Sequence, residues 1–179
     1  MYLISLYFDD KTNVMISRYI DKIAKCTGNT FMTENNVPPH LTISSVEARS
    51  GEVLMKDFES LKCKLQMGKI QFVSVGMFLP YVIYMTPVLN EYLQDISSQI
   101  YDTVKSISET RISRFYKPMQ WFPHVTLGKK LDKMQMRTAF EIMQESFQPV
   151  EADVVAVGLA KTNPHKDLMR FRLDTELDK

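Results

Sequence analysis

Apolar residues along the chain alternate between two spacings, and the switches outline a series of short elements. The run from Tyr2 to Phe8 is nearly continuous and too short for a helix, so it predicts a strand. Ile16, Ile20, Ile23 and Ala24 then recur at helical spacing through residues 12–26, with Gly28-Asn29 as a stop signal. A polar loop leads through Pro38-Pro39 to a short strand at His40. After Ser50-Gly51, Leu54, Phe58, Leu61 and Leu65 form one helical stripe ended by Gly68, and residues 70–79 read as a strand. The second half repeats this order. Residues 81–85 predict a strand, Pro87 a helix start, and Leu89, Leu93, Ile96, Ile100 and Val104 the apolar face of that helix. A loop carrying Arg111, Arg114 and Lys117-Pro118 leads to a strand at His124. Asp132 with Gln135 three residues on has the form of a capping box, ahead of a stripe of Met136, Phe140, Met143 and Phe147. Strands over 150–159 and 168–173 complete the pattern.

The repetition extends to individual positions. Leu54, Phe58, Leu61 and Leu65 precede Met136, Phe140, Met143 and Phe147 by 82 residues, and Val73-Ser74-Val75-Gly76 precedes Val155-Ala156-Val157-Gly158 by the same 82. This is duplication of a whole lobe, not a short solenoid repeat. No low-complexity tract or flexible linker separates the halves. The expected product is one domain of two packed lobes, roughly 1–79 and 80–179. Each would be a small, mainly antiparallel sheet backed by two helices, an α+β fold with a pseudo-twofold about a central cleft.

Composition narrows the partners. At 179 residues, 45% hydrophobic and 24% charged, the chain can bury a core without metal or disulfide staples. A net charge of +1 argues against gripping many phosphates along duplex DNA, but leaves a small ligand or an RNA end open. Cys26 and Cys63 lack ligand spacing and read as free, buried thiols of a reducing cytosol. The opening strand has no basic leader, and no stretch nears the ~20 apolar residues that span a bilayer. A monomeric, cytoplasmic protein without a membrane partner is expected.

The chemistry concentrates in two tetrapeptides, His40-Leu41-Thr42-Ile43 and His124-Val125-Thr126-Leu127. Each is entered through proline, and together they hold two of the chain's three histidines. Strand residues i and i+2 share a face, so each His and Thr project together while the aliphatic residues point to a core. Two imidazoles titrating near neutrality can hold one base and one acid at once, which suits in-line displacement at phosphorus. The threonine hydroxyls would donate to the non-bridging oxygens. Metal binding is the weaker reading, because no His-x-x-x-His and no acidic or cysteine partner stands beside either motif. Trp121 and Phe122 are candidates to stack a base, with one of them packed under the loop as the alternative. Tyr7 is a candidate to line the cleft, core packing being the competing role. His165 reads as a solvated turn residue, and Arg111, Arg114 and Lys117 as a basic loop.

Two His-x-Thr-aliphatic motifs, one per half of a duplicated chain of this size, resemble the two-histidine (2H) phosphoesterase superfamily. The resemblance is nearest to its bacterial 2′–5′ RNA ligase-like and cyclic phosphodiesterase branch, and it covers nearly the whole chain. It implies a bilobal α+β fold with the two motif strands lining a central cleft. The implied activity is cleavage of 2′,3′-cyclic phosphates on RNA ends or nucleotides, without metal or other cofactor. Run in reverse, the site would join RNA ends 2′–5′ without ATP. By the same resemblance His40 and His124 form the acid–base pair, and Thr42 and Thr126 bind phosphate. Many ligase-like members carry arginine five residues after the second His. Here Lys129 stands in that place as a phosphate ligand, keeping the charge but not the bidentate fork. Ser44-Ser45 come directly after the first motif, so nothing basic accompanies it there. The competing readings are a non-catalytic module that holds nucleotides or RNA ends, and a 2′–5′ oligonucleotide phosphodiesterase.

Overall fold

The structure is a computed structural model that describes residues 1–35, 37–162 and 166–174. The chain runs β1 (Tyr2–Phe8), α1 (Asp10–Thr27), α2 (Phe31–Glu34), β2 (Leu41–Glu47), α3 (Glu52–Glu59), β3 (Gly68–Phe78) and β4 (Val82–Pro87). It continues through α4 (Glu91–Lys105), β5 (Arg111–Ile112), a 3₁₀ turn (Arg114–Tyr116), β6 (Val125–Lys129), α5 (Lys133–Ser146), β7 (Val150–Lys161) and β8 (Lys166–Arg172). Local chemistry explains the ends. The Asp9 carboxylate accepts from the amides of Lys11 and Thr12 to start α1, and Gly28 ends it at φ 71°, where glycine carries no Cβ penalty. Asp132 and Gln135 form the capping box of α5.

Three predicted boundaries move. α3 stops at Glu59, so Leu61 and Leu65 are buried beyond its end, and Gly68 opens β3 instead of closing a helix. Pro87 is the last residue of β4, because Asn90 supplies the α4 cap by accepting from the Leu93 amide. Leu89 is thereby left outside the helix and exposed. On α5 the buried face is Met136, Ala139, Ile142 and Met143, while Phe140, the counterpart of buried Phe58, is 39% exposed. The 82-residue offset therefore preserves the spacing along the chain, but neither the helix over all four positions nor the burial of every member.

All strand pairs are antiparallel, in the order β5-β2-β1-β7-β3-β4-β6. β7 is the spine: β1 runs along one edge, and the other edge is shared between β3 at Val150–Val154 and β8 at Ala156–Lys161. β2 and β6 lie towards opposite ends of this order yet touch, so the sheet is curled until its ends approach. The helices cross between halves. α1 packs on α5 and β6, whereas α4 packs on α3, β2 and β5, so each half lends a helix to the strands of the other. A single apolar core includes Leu41, Ile43, Val125 and Leu127, the aliphatic members of both motifs.

Cys26 and Cys63 are free as expected but exposed, not buried: one lies on the outer side of the last turn of α1, the other in the turn after α3. Among the described residues no helix is long and apolar enough to cross a membrane. His165 lies outside the described residues.

Candidate active site

β2 and β6 each begin one residue after a histidine, and the two histidines are held in the same way. His40 Nδ1 lies 2.8 Å from the Pro38 carbonyl, and His124 Nδ1 lies 2.9 Å from the Phe122 carbonyl, in both cases two residues back. A carbonyl can only accept, so Nδ1 carries the proton and Nε2 is the basic nitrogen of each neutral ring. Proline before each histidine holds the chain extended at the strand entry. Both rings are half-buried. Burial lowers the His124 pKa below the ordinary histidine value, partly opposed by the Phe122 carbonyl. That keeps the ring neutral, and able to accept a proton, around pH 7.

The strands carry a matched irregularity. Pairing of β1 with β2 steps from Ile4–Ser44 to Ser5–Thr42, and pairing of β4 with β6 steps from Ile83–Gly128 to Tyr84–Thr126. Ile43 and Leu127, 84 residues apart like the histidines, are thus the extra residues of two equivalent β-bulges. Both are fully buried, at 1% and 0% exposure, and burial of such side chains is worth roughly 1.5–3 kcal/mol each, which pins the bulges. A bulge reverses the facing of the residues after it. Simple alternation would send Lys129 to the core with Val125 and Leu127. Instead Gly128 faces the core, where a Cβ would stand 2.9 Å from Leu131 and 3.1 Å from Ile83. Lys129, paired with Val82, returns to the face of Thr126 and Tyr84 and is exposed. The equivalent position after the first motif is Ser45.

Gly76 and Gly158, which share the 82-residue offset, have matching tasks. Gly158 pairs with Ser5 and Gly76 with Tyr84. A Cβ on Gly158 would come within 2.9 Å of the Tyr7 ring, and one on Gly76 within 2.6 Å of the Tyr84 hydroxyl. Each glycine makes room for a tyrosine lying beside a histidine: Tyr7 is 6.3 Å from His40 and Tyr84 is 5.5 Å from His124, between ring centroids. Tyr7 is 5% exposed, with the Arg170 guanidinium 3.7 Å above its ring. Burial raises the Tyr7 pKa, against the pull of Arg170, so the phenol stays a donor. Thr42 is buried with its hydroxyl 3.5 Å from that of Ser5, and Thr126 is half-buried.

The surroundings of the two histidines differ. Phe78 meets His124 edge-on at 4.8 Å, Phe122 lies 6.4 Å away, and both pack on Tyr84. Trp121 is 4% exposed and part of the core, so it has no free face for a base. The expectation of stacking there is corrected: Trp121 packs inward, and its neighbour Phe122 is the exposed ring, at 49%. Sequence reading passed over Tyr84, Phe78 and Arg170. The Gly76–Gly158 match was a visible signal for the first, whereas Arg170 enters only through the pairing of β8 with β7. Arg111 sits on β5 at the edge of β2, and Arg114 lies 4.9 Å over the Phe115 ring. Among the described residues no three His, Cys, Asp or Glu side chains gather as a metal site would require.

A sequence model of the 2′-5′ RNA ligase superfamily matches residues 16–166, a span that contains both histidine motifs. The chain belongs to the 2′-5′ RNA ligase superfamily. This is the LigT-like branch of the two-histidine phosphoesterases, which places the chain among phosphoesterase- and ligase-type enzymes. The fold agrees. The crystal structure of E. coli LigT complexed with 3′-AMP is 13% identical and superposes with a TM-score of 0.64, covering 96% of this chain and 97% of that one. A crystal structure described as a phosphoesterase is 14% identical, with TM-score 0.63 and coverage of 97% and 98%. Apo E. coli LigT is 14% identical, with TM-score 0.59 and coverage of 97% of each chain. At such identities the likeness is one of fold. No curated protein sequence matches the chain.

Proposed function

We propose that this superfamily member is a metal-independent phosphodiesterase that opens 2′,3′-cyclic phosphates on RNA ends or nucleotides, with His40 and His124 as its acid–base pair. The observation that carries the reading is the matched Nδ1 hydrogen bond of both histidines, which leaves Nε2 as the basic nitrogen at equivalent places in a duplicated domain. A nucleotide ligand is supported by the fold relative, since E. coli LigT has been crystallised with 3′-AMP, ATP and NADP+.

The step balances without any further reagent. Nε2 of one neutral histidine takes a proton from water as the water oxygen bonds to phosphorus. The bond from phosphorus to one ring ester oxygen breaks, and the second histidine, protonated, gives its proton to that oxygen. The lowered pKa of His124 suits it to the base role. Thr42 and Thr126 donate to the non-bridging oxygens, and the Lys129 ammonium offsets their charge. The exposed ring of Phe122 takes the stacking role first expected of Trp121. If a 5′-hydroxyl replaces water as nucleophile, the same proton transfers form a phosphodiester bond without ATP, which accounts for a 2′–5′ ligase activity.

The test is turnover of 2′,3′-cyclic AMP by purified protein in EDTA, compared with the His40→Ala/His124→Ala variant. Hydrolysis in the parent and none in the variant supports the enzyme. Tight nucleotide binding with no turnover would leave only the binding module. Cleavage of 2′–5′ oligoadenylate with no action on the cyclic phosphate would favour the oligonucleotide phosphodiesterase.

A further inference from the structure

A cavity of about 280 Å³ adjoins the His40 motif, and the proposed reaction does not use it. Its walls include Tyr7, Asp10, Pro38, Arg170 and Arg172. Two of these join it to the histidine. Pro38 supplies the carbonyl that accepts from His40 Nδ1, and Tyr7 lies 6.3 Å from the His40 ring. Larger cavities include one of about 470 Å³ between the β3–β4 turn and α5, one of about 440 Å³ along the first turns of α1, and one of about 340 Å³ against α4.

The cationic wall comes from strand register. Gly158 pairs with Arg170 and Ala156 with Arg172, while Gly158 also pairs with Ser5, and Ser5 with Thr42. Residues paired directly across a sheet share a face. One row of side chains therefore runs Thr42, Ser5, Gly158, Arg170 across four strands, from a proposed phosphate ligand to an arginine. Three strand spacings of ~4.8 Å separate the ends of the row. Arg170 reaches back along it, with its guanidinium over Tyr7. Asp167 takes one nitrogen of the guanidinium at 2.7 Å, with both side chains partly exposed, and Asp10 is the carboxylate on the cavity wall. An exposed pair of this kind is weakly held and opens readily to a better acceptor.

A planar fork with a second arginine two residues on suits an anion with two equivalent oxygens, as in a phosphodiester. The volume, near the ~300 Å³ lower end for ligand pockets, suits a phosphate with part of its sugar more than a whole nucleotide. The reacting phosphate belongs between Thr42 and Thr126, so the anion at the arginines is a second one on the same substrate. We infer that this cavity binds the phosphodiester one nucleotide upstream of the reacting cyclic phosphate, so the substrate class is an RNA 3′ end of two or more nucleotides. The inference rests on the proposed phosphodiesterase reading. It also assigns the substrate a polarity: the Phe122 side holds the terminal base, and the Arg170 side the backbone.

Calorimetry on two nucleotides decides it: adenosine 3′-monophosphate and the adenylyl dinucleotide ending in a 3′-phosphate, each with the parent protein and with Arg170→Gln/Arg172→Gln. The parent should bind the dinucleotide about tenfold tighter or better, as one charge-assisted contact allows. The variant should bring the ratio to within about twofold of one. A parent ratio near one overturns the inference whatever the variant does, and so does a ratio the variant leaves unchanged. Turnover of cyclic AMP and of the cyclic-ended dinucleotide is run beside it. Loss of both turnovers with the binding ratio intact would sink the phosphodiesterase reading and keep the subsite.

Discussion

The His40 and His124 halves share a skeleton and differ in what they hang on it. Each has a histidine bonded to the carbonyl two residues back, a bulge one residue after the threonine, and a glycine that admits a tyrosine beside the ring. Past that frame they diverge. Lys129 comes after the second bulge and Ser45 after the first. Phe78 and Phe122 crowd His124, whereas Arg170 and Arg172 flank the His40 side. The shared features are backbone features, which any change would disturb in a whole strand pair. The divergent ones are side chains, free to take separate tasks. Equivalence of position thus supplies two similarly held imidazoles, and difference of surroundings gives them separate environments.

The sharpest way to break the comparison is to remove each histidine alone. We expect His40→Ala and His124→Ala each to lower kcat on a cyclic nucleotide by ~10²–10⁴-fold, and the double variant to lose little more than either. A single variant with near-parental kcat would mean that the two halves are not partners in one reaction.

The glycines come next. Gly76→Ala and Gly158→Ala should each destabilise the fold by ~1–3 kcal/mol in urea unfolding, because each Cβ meets a buried tyrosine. Phenylalanine should rescue neither. After Tyr84→Phe the ring carbons still stand 2.7 and 2.8 Å from the Gly76 Cβ, and at Gly158 the clash is with the Tyr7 ring edge, with the Met169 carbonyl at 3.3 Å.

Smaller still is the charge difference. Lys129→Ala should reduce kcat/KM about tenfold, the effect of one charge-assisted contact, while Ser45→Ala stays within about twofold. Equal losses at both positions would deny Lys129 a separate role.

The least effect is on stability against pH. The His124 pKa is lowered on folding, so below the unfolded value near 6.5 the unfolded chain binds more protons than the native one. Its contribution is therefore complete above that pH and declines as pH falls through the window beneath it. His124→Gln should flatten part of the drop in thermal midpoint between about pH 7 and 5. An unchanged slope would mean that His124 is not desolvated.

Much of this is legible in the residue order. Strand and helix identities, the capping box of α5 and the doubled His-x-Thr frame arise from spacing and local hydrogen bonding, which the chain carries within a few residues. Where reading faltered, a competing local signal or a distant partner had intervened. Asn90 took the cap that Pro87 suggested. Trp121 and Phe122, adjacent and both aromatic, could not be sorted until the core claimed one of them. The bulge at Leu127, which sets Lys129 on the face of Thr126, depends on the pairing of β6 with β4.

Residue order alone settled that two equivalent histidines exist, each with a threonine on its face and aliphatic anchors behind, since period and repeat are properties of the chain. Tertiary structure decided what stands around them. The exchange of α1 and α4 between halves, the curl that brings β2 to β6, and the pairing of β8 that sets Arg170 over Tyr7 join residues far apart in the chain. Such contacts depend on how whole faces pack, and no local pattern encodes them.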